Sequence, residues 1–361
     1  MRIFHIHGDQ FTELQDLPDA PPASGYLWVG VARAEFEQKL GEFQNALSRW
    51  TGAPLVDLHA TDLLNPQLPS HFDYTSWYDL LVFHRLAAAS PEEPEADAPA
   101  ALTRIDTSPV GFAVFDNVLL TVHPADYCMV REYFANRLQQ QTPAVENRDT
   151  RAGGARMPPS PADMALRMTN YMVDSYLDLR RLLTAQLDRL QQDLFGPRPG
   201  PRSWKLLLDS RNALHLLEDT CEDQRAAITE WIDALDELPD GDAAVLRERE
   251  LLRVRARDVL EHIERVLGHV RRLEASAENA VQMHFSAQSN RTNEIMRTLT
   301  TLTAIFLPLN LVTGFFGMNF DTLPGIHNPR AFWITFGVML VIGIGMSLYF
   351  WRKRYIGRPT I

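Results

Sequence analysis

The pattern of apolar and polar positions divides the chain into a mixed first part, a helical middle and two apolar stretches near the end. Short runs rich in β-branched and aromatic residues predict strands at residues 2–7, 26–31, 78–84, 110–115 and 118–123. Apolar residues at helical spacing predict a helix over residues 34–50. We therefore expect the chain to begin with an α/β domain in which helices pack on a sheet.

From Pro161 onward the pattern is helical. Ser160 and Pro161 have the residue types of a helix cap and first position, and they predict a helix that ends near residue 195, before a run of Gly and Pro. A second helix is predicted over residues 203–238. No Gly or Pro cluster follows Asp242, so the pattern predicts one helix over residues 243–317. The alternative is two helices that break near Gly268.

Two apolar stretches, residues 298–316 and 331–351, are each long enough to cross a bilayer core of roughly 30 Å. A short loop joins them, which predicts a membrane hairpin. Basic residues close to the spans favour the cytoplasmic side. They precede the first stretch at Arg291 and Arg297 and follow the second at Arg352, Lys353, Arg354 and Arg358, whereas the loop has only Arg330. Both termini are therefore predicted to be cytoplasmic.

Composition and charge exclude several classes of function. The formal net charge of -11 argues against binding of nucleic acid, which needs a basic face. Cys128 and Cys221 lie far apart in sequence, so neither a disulfide framework nor a thiolate zinc site is expected. Met1 to His7 lack the pattern of a signal peptide. Because no phosphate loop or recognisable catalytic motif is present, we do not expect an enzyme.

The first apolar stretch carries polar side chains in register. They form a heptad seam with the apolar residues between them, at Asn293, Met296, Thr300, Thr303, Leu307, Asn310 and Gly314. An Asn deep in an apolar run is costly in lipid and usually faces a partner or a path for water. The seam therefore predicts an oligomer. It leaves two interpretations open, a polar clamp between packed helices and the lining of a pore.

Three segments around this seam resemble the CorA family of two-span divalent metal transporters. Their sequences are NEIMR at residues 293–297, IFLPL at 305–309 and TGFFGMNF at 313–320. Upstream, residues 160–163 and 257–259 with His262 also resemble the family. The resemblance covers roughly the C-terminal 200 residues and implies an α+β fold. That fold has an N-terminal cytosolic α/β domain, a helical region with a very long pore-lining helix and a C-terminal transmembrane hairpin.

The resemblance also implies a homopentamer in the inner membrane, with no cofactor and with Mg²⁺ or Zn²⁺ as the transported ion. Gly317, Met318 and Asn319 would form the outer entrance of the pore, and Asp321 in the following loop would attract cations. The implied pore lining consists of Asn310, Leu307, Thr303, Leu299, Met296 and Asn293. Leu307, Leu299 and Met296 would form an apolar constriction that closes by dewetting.

Further roles implied by the resemblance lie on the cytosolic side. Asp258 would take part in metal binding between subunits, although pairing with Arg255 or Arg257 on a charged helix face is an equal alternative. Arg352, Lys353 and Arg354 would form a basic ring at the inner mouth, and topology alone also explains these charges.

The loop after the first span departs from the magnesium-type members. It lacks their second acidic residue, and residues 323–325 and 329–333 are closer to the zinc-transporting ZntB branch. We expect transport of Mg²⁺, with Co²⁺ and Ni²⁺, and keep two alternatives. One is Zn²⁺ transport coupled to protons, and the other is a membrane-anchored sensor or scaffold that transports nothing.

These interpretations predict the following segments. They are a cytosolic α/β domain at 1–140, a linker at 141–160, a cytosolic helical hairpin at 161–242, the cytosolic part of the long helix at 243–297, a first span at 298–319, a periplasmic loop at 320–330, a second span at 331–351 and a basic cytosolic tail at 352–361.

Overall fold

The structure is a computed structural model that describes residues 1–88, 105–124, 128–140, 157–195, 201–237, 242–318 and 329–353. Most of the predicted linker, periplasmic loop and basic tail lies outside these residues. The chain divides into two compact units, Met1–Glu278 and Asn279–Ile361. The finer segment boundaries given above stay predictions.

The first unit contains a seven-stranded sheet. Its strands are β1 (Arg2–His7), β2 (Gln10–Leu14), β3 (Tyr26–Ala32), β4 (His71–Tyr74), β5 (Tyr78–His84), β8 (Pro109–Phe115) and β9 (Val118–His123), in the order β2-β1-β3-β9-β8-β5-β4. The pair β3 and β9 is parallel, and every other pair in this sheet is antiparallel. A separate two-stranded ladder joins β6 (Ala87–Ala88) to β7 (Ile105–Asp106). The five predicted strands are confirmed.

Helices cover both faces of this sheet. On one face, α1 (Arg33–Gln38), α2 (Leu40–Thr51) and α3 (Asp57–Leu64) close a core that includes Phe36, Phe43 and Leu47. On the other, α5 (Pro161–Asp174) packs on β3, β8 and β9. Every residue of these three strands is buried, as expected for strands covered on both sides.

The remaining helices of the first unit are α4 (Met129–Gln140), α6 (Tyr176–Phe195), α7 (Pro201–Glu237) and the first part of α8 (Ala243–Phe316). Ser160 caps α5, because its hydroxyl accepts a hydrogen bond from the Asp163 amide at 3.4 Å. Two predicted helices are wrong in extent. The helix expected over 34–50 is broken at Lys39, whose ψ of 18° departs from helical geometry, and the helix expected over 161–195 is divided at Ser175.

The predicted long helix is confirmed, because α8 runs without a break from Ala243 to Phe316 and Gly268 does not interrupt it. The second unit contains the last part of α8 and α9 (Pro329–Arg352). Both helices are long and apolar enough to cross a membrane. Pro308 lies inside α8, so the carbonyl of Ala304, four residues earlier, lacks its helical donor.

Candidate functional site

The heptad seam lies along one face of the last part of α8. All seven of its residues are exposed, and Leu307 has 67% of its surface accessible. A helix places residues three and four apart on the same side, so these exposed positions form one continuous stripe. We call this set, Asn293, Met296, Thr300, Thr303, Leu307, Asn310 and Gly314, the polar stripe.

A different face of the same helix meets α9. The buried or partly buried positions there are Thr301, Ala304, Ile305, Pro308, Leu309 and Val312. Gly343 of α9 lies against this face, because a Cβ placed on it would be 3.6 Å from Leu309 Cδ1. The contact between the two apolar helices therefore leaves the polar stripe uncovered.

The threonine hydroxyls of α8 are satisfied inside the helix. Thr300 and Thr303 on the polar stripe donate to the carbonyls four residues earlier at 2.8 and 2.9 Å, and Thr301 on the buried face does the same at 2.8 Å. Each hydroxyl oxygen keeps lone pairs that can accept another hydrogen bond. The stripe therefore presents acceptor oxygens and does not need a neighbouring helix to receive the threonine protons.

Asn310 is a polar residue in the apolar part of α8 whose side chain has no partner among the described residues. Its backbone carbonyl accepts a hydrogen bond from Thr313 Oγ1 at 3.1 Å, but within the described ranges no hydrogen bond involves its side-chain amide. The side chain is exposed in the middle of the apolar part of the helix. An amide without a partner costs several kcal/mol in hydrocarbon, so a membrane environment requires that it face another polar group or water.

The end of α8 requires a glycine. The Gly317 amide donates to the Thr313 carbonyl at 2.9 Å, directly after the last helical residue, Phe316. A Cβ on Gly317 would lie 2.9 Å from that same carbonyl oxygen, which is closer than real Cβ atoms approach. Met318 follows and is exposed. Asn319 and Asp321, predicted at the pore entrance and in the loop, lie outside the described residues.

The predicted inner basic ring is described in part. Arg352 is the last residue of α9, and Lys353 follows it with its ammonium group 5.9 Å from the centre of the Tyr349 ring. Both basic residues are exposed, whereas Arg354 lies outside the described residues. Aromatic and basic side chains at the end of an apolar helix are typical of a membrane surface.

Asp258 lies on α8 in the first unit, with 57% of its side chain exposed. Its nearest ionisable partner is His262, whose Nε2 is 3.9 Å from Asp258 Oδ1, and His262 Nδ1 contacts Asp174 Oδ1 at 3.0 Å. Among the described residues no ion pair joins Asp258 to Arg255 or Arg257. The proposed pairing on the helix face is therefore not present in the described structure, and the regulatory role stays a prediction.

Arg255 instead pairs with a carboxylate that the sequence did not single out for this role. Asp163, whose side chain is completely buried at the start of α5, contacts Arg255 and also Arg167, whose Nε is 2.9 Å from Asp163 Oδ2. Burial raises the pKa of Asp163, and the two guanidinium groups oppose that rise. The ion pair ties α5 to α8. The Ser-Pro-Ala-Asp segment marked this helix start, but the arginine partners are distant in sequence.

An α/β domain followed by two helices that are long and apolar enough to cross a membrane is the architecture expected of a two-span membrane protein. The model of a family described as CorA-like Mg²⁺ transporter protein matches residues 44–354. This chain belongs to the CorA family. The resemblance found in the sequence is therefore confirmed.

Relatives with sequence or structural similarity agree with this assignment. The cobalt/magnesium transport protein CorA of Thermotoga maritima is 27% identical over 185 residues, which are 51% of this chain and 50% of that protein. The chain thus aligns with about half the length of this curated relative. The complete structure of the CorA magnesium transporter from Methanocaldococcus jannaschii has a TM-score of 0.72 at 17% identity and covers 99% of both chains.

A further solved structure shares the fold of the soluble part. The ZntB cytoplasmic domain from Vibrio parahaemolyticus matches with a TM-score of 0.55 at 11% identity, over 80% of this chain and 98% of that one. At this identity the match demonstrates a shared fold alone. It therefore supports the α/β and helical architecture of the first unit.

Proposed function

We propose that this protein transports divalent cations across the bacterial inner membrane through a homopentameric pore. Membership of the CorA family supports transport, and the Thermotoga relative is named as a cobalt/magnesium transport protein. Mg²⁺, with Co²⁺ and Ni²⁺, is the favoured class of substrate. No catalytic step and no cofactor belong to this function.

The polar stripe is the observation that carries the proposal. It is exposed on one side of α8 while a different side meets α9, and it includes the unsatisfied amide of Asn310. A tether for a soluble domain has no need of such a group, whose burial in lipid is unfavourable. Five copies packed around an axis would remove the stripe from lipid and give Asn310 access to water.

The chemistry of the stripe suits a hydrated cation. Thr303 and Asn310 offer neutral oxygen acceptors, and water molecules bound to Mg²⁺ are hydrogen-bond donors. Mg²⁺ gives up its water reluctantly, so outer contacts through water need less dehydration than direct ligation. Leu307, Leu299 and Met296, all exposed on a single chain, would meet around the axis and close the path by dewetting.

The outer entrance is proposed at Gly317, Met318 and Asn319. Gly317 permits the turn that ends α8, and Asn319, two residues later, would supply its amide oxygen to an approaching hydrated ion. Asp321 would raise the local cation concentration. On the cytoplasmic side, Asn293 would form the inner end of the lining and Arg352, Lys353 and Arg354 a basic ring. Asp258 would contribute to regulation by internal metal.

Flux into proteoliposomes tests the proposal. Purified protein should carry Mg²⁺ into vesicles that contain a magnesium-sensitive dye, and Asn319→Ala should abolish this flux while the oligomer stays intact. The matched control is Ser347→Ala in α9, which also removes a polar group from an apolar helix; its hydroxyl donates to Gly343 in its own helix at 2.7 Å. Full flux in Asn319→Ala would contradict the entrance. Flux lost equally in Ser347→Ala would show that any polar deletion is harmful.

Transport of Zn²⁺ coupled to protons is the second candidate. The loop supports it, because residues 323–325 and 329–333 resemble the zinc branch and the second acid of the magnesium-type loop is missing. Parallel flux assays with each ion, with and without a pH gradient, separate the two. Zinc flux that rises with the gradient favours the second candidate, whereas Mg²⁺ flux that ignores the gradient favours a channel. If no divalent ion is transported, a membrane-anchored sensor or scaffold would be the remaining interpretation.

A further inference from the structure

A group of metal-ligating side chains lies between α7 and α8 in the first unit, remote in sequence from the polar stripe. His215 and Glu218 are three residues apart on α7 and therefore on the same face, and Glu274 reaches them from α8. One ligand atom from each residue lies within 4.8 Å of the others. We call this group the His215 cluster.

The surrounding contacts form a ladder of charged pairs between the two helices. Arg211 contacts Glu278 at 3.1 Å, His215 Nδ1 contacts Glu274 at 3.0 Å, and Arg271 Nε contacts Glu218 at 2.7 Å. A simple explanation is that these are surface ion pairs, which contribute little to stability. Two of the three rungs fit that explanation, because each joins a guanidinium group to a carboxylate.

The middle of the ladder does not fit it. Glu218 and Glu274 each place a carboxylate oxygen within 4.8 Å of the other, although both are acids. Two carboxylates this close repel each other, and a cation between them removes that repulsion. Arg271 is shared with Glu222 and so compensates this pair only in part.

The geometry suits a small cation with nitrogen and oxygen ligands. A tetrahedral ion with ligand bonds of about 2.1 Å holds its ligand atoms ~3.4 Å apart, so the 3.0 Å contact between His215 and Glu274 needs little change. The glutamate side chains are 24% and 22% exposed and that of His215 is 48% exposed, which leaves a path for an ion from solvent. Imidazole as a ligand favours Zn²⁺ and similar transition metals over Mg²⁺.

We infer that His215, Glu218 and Glu274 form a binding site for Zn²⁺ or a similar transition metal that links α7 to α8. Three protein ligands leave the fourth tetrahedral position to water. Arg271 competes with the ion, because its guanidinium group donates to Glu218 where the metal would bind. Its side chain is 54% exposed and can move into solvent when the metal enters.

Metal binding to the purified full-length chain in detergent tests this inference without measuring transport. Binding of Zn²⁺ alone would be measured by calorimetry. The unmodified chain should bind one more Zn²⁺ than His215→Ala or Glu274→Gln, or should bind it with a Kd at least ~10-fold lower than theirs. Glu278→Gln is the matched control, since it removes a carboxyl group from the same helix one turn later. Equal stoichiometry and affinity in all four proteins would overturn the site.

Two further variants keep the test decisive if a ligand deletion disturbs folding. Arg271→Gln removes the competing cation and should bind Zn²⁺ several-fold more tightly; weaker binding would contradict the assigned competition. His215→Cys should keep the ligand position and, with Co²⁺ as the probe, add a sulfur-to-cobalt charge-transfer band that the unmodified chain lacks. Absence of that band in a folded protein would show that residue 215 does not touch the metal.

Discussion

The two units differ in where their polar groups find partners. In the sheet of the first unit, Trp28 Nε1 donates to Thr121 Oγ1 at 3.0 Å, and buried His59 contacts both Tyr78 and Asp73. In the second unit, Asn310 has no side-chain partner within the described residues, and large apolar groups are exposed, with Leu311 at 74% and Trp333 at 69%. The first unit pairs these polar groups within one chain, whereas the helices of the second unit leave polar and large apolar groups exposed, as expected for segments that cross a membrane.

The same Leu→Ala truncation should lower stability in the first unit and change mainly transport in the second. Leu120→Ala removes a side chain that is 1% exposed in the sheet core and should destabilise the protein by about 3–4 kcal/mol in urea unfolding of the purified chain in detergent. Leu307→Ala removes an exposed side chain and should change the free energy of unfolding by less than about 0.5 kcal/mol, while Mg²⁺ flux should rise if Leu307 forms the proposed constriction. Equal destabilisation in both variants would contradict the distinction between the units.

The buried ion pair of the first unit should be next in size. Asp163→Asn leaves Arg167 and Arg255 without their carboxylate and should cost about 3 kcal/mol in the same unfolding assay. Asp236→Asn is the control, because Asp236 also pairs with an arginine of α8, Arg253, at 2.7 Å, but is 43% exposed. That variant should change stability by no more than about 1 kcal/mol. Similar losses in the two variants would mean that burial does not set the difference.

Acid should weaken the first unit through a buried histidine. Burial, aided by Arg131 and Arg33, lowers the pKa of His123 from 6.5 to about 3. The unfolded chain therefore takes up a proton below pH 6.5 that the folded chain refuses, and the contribution of His123 to stability falls by ~1.4 kcal/mol for each pH unit down to about pH 3. Unfolding measured from pH 7 to 5 should depend less on pH in His123→Gln than in the unmodified protein. The exposed His7→Gln serves as control, and identical slopes in both variants would contradict the prediction.

Gly314 inside α8 and Gly317 directly after it separate the effect of local geometry from that of packing between copies. Gly317→Ala places a Cβ 2.9 Å from the Thr313 carbonyl and should distort the end of the helix and reduce flux. A Cβ added by Gly314→Ala would have no atom within 4 Å in one chain. This variant should therefore keep the helix intact and stabilise it by up to about 1 kcal/mol. If copies pack along the polar stripe, this variant should nevertheless lower the fraction of cross-linked oligomer. An unchanged oligomer fraction would argue against close packing at this position.

The sequence predicted the elements of the fold better than their arrangement. Strands β1, β5 and β9 have the predicted bounds because their apolar runs are compact, whereas the short edge strands β2 and β4 are mostly polar and were missed. The break at Ser175 lacks the Gly or Pro that marks a helix end, and Gly41, near the break at Lys39, lies inside α2. The parallel pairing of β3 with β9 joins residues about 90 positions apart, and local patterns contain no information on such register.

In the candidate site, too, the sequence predicted what lies on one element but not the contacts between residues far apart in the chain. Helical periodicity alone identified the exposed stripe, because every member lies on one helix and needs no knowledge of a partner. By contrast, the alternative that paired Asp258 with Arg255 or Arg257 is not present among the described residues, because Asp258 lies by His262 and Arg255 pairs with Asp163, 92 positions earlier. The His215 cluster was missed for a similar reason, since Glu274 comes from a different helix than His215 and Glu218.

Water access along α8 tests the central claim most directly. Single cysteines at Thr303 and Asn310 on the polar stripe, and at Thr301 and Val312 on the face that meets α9, would be compared for reaction with a small charged thiol reagent in proteoliposomes. The native Cys128 and Cys221 are buried and can be replaced first. Because the thiolate reacts only where water reaches it, we predict modification at 303 and 310, slowed by Mg²⁺, and none at 301 and 312. Equal reaction on both faces, or none on the stripe, would contradict a pore lined by this face.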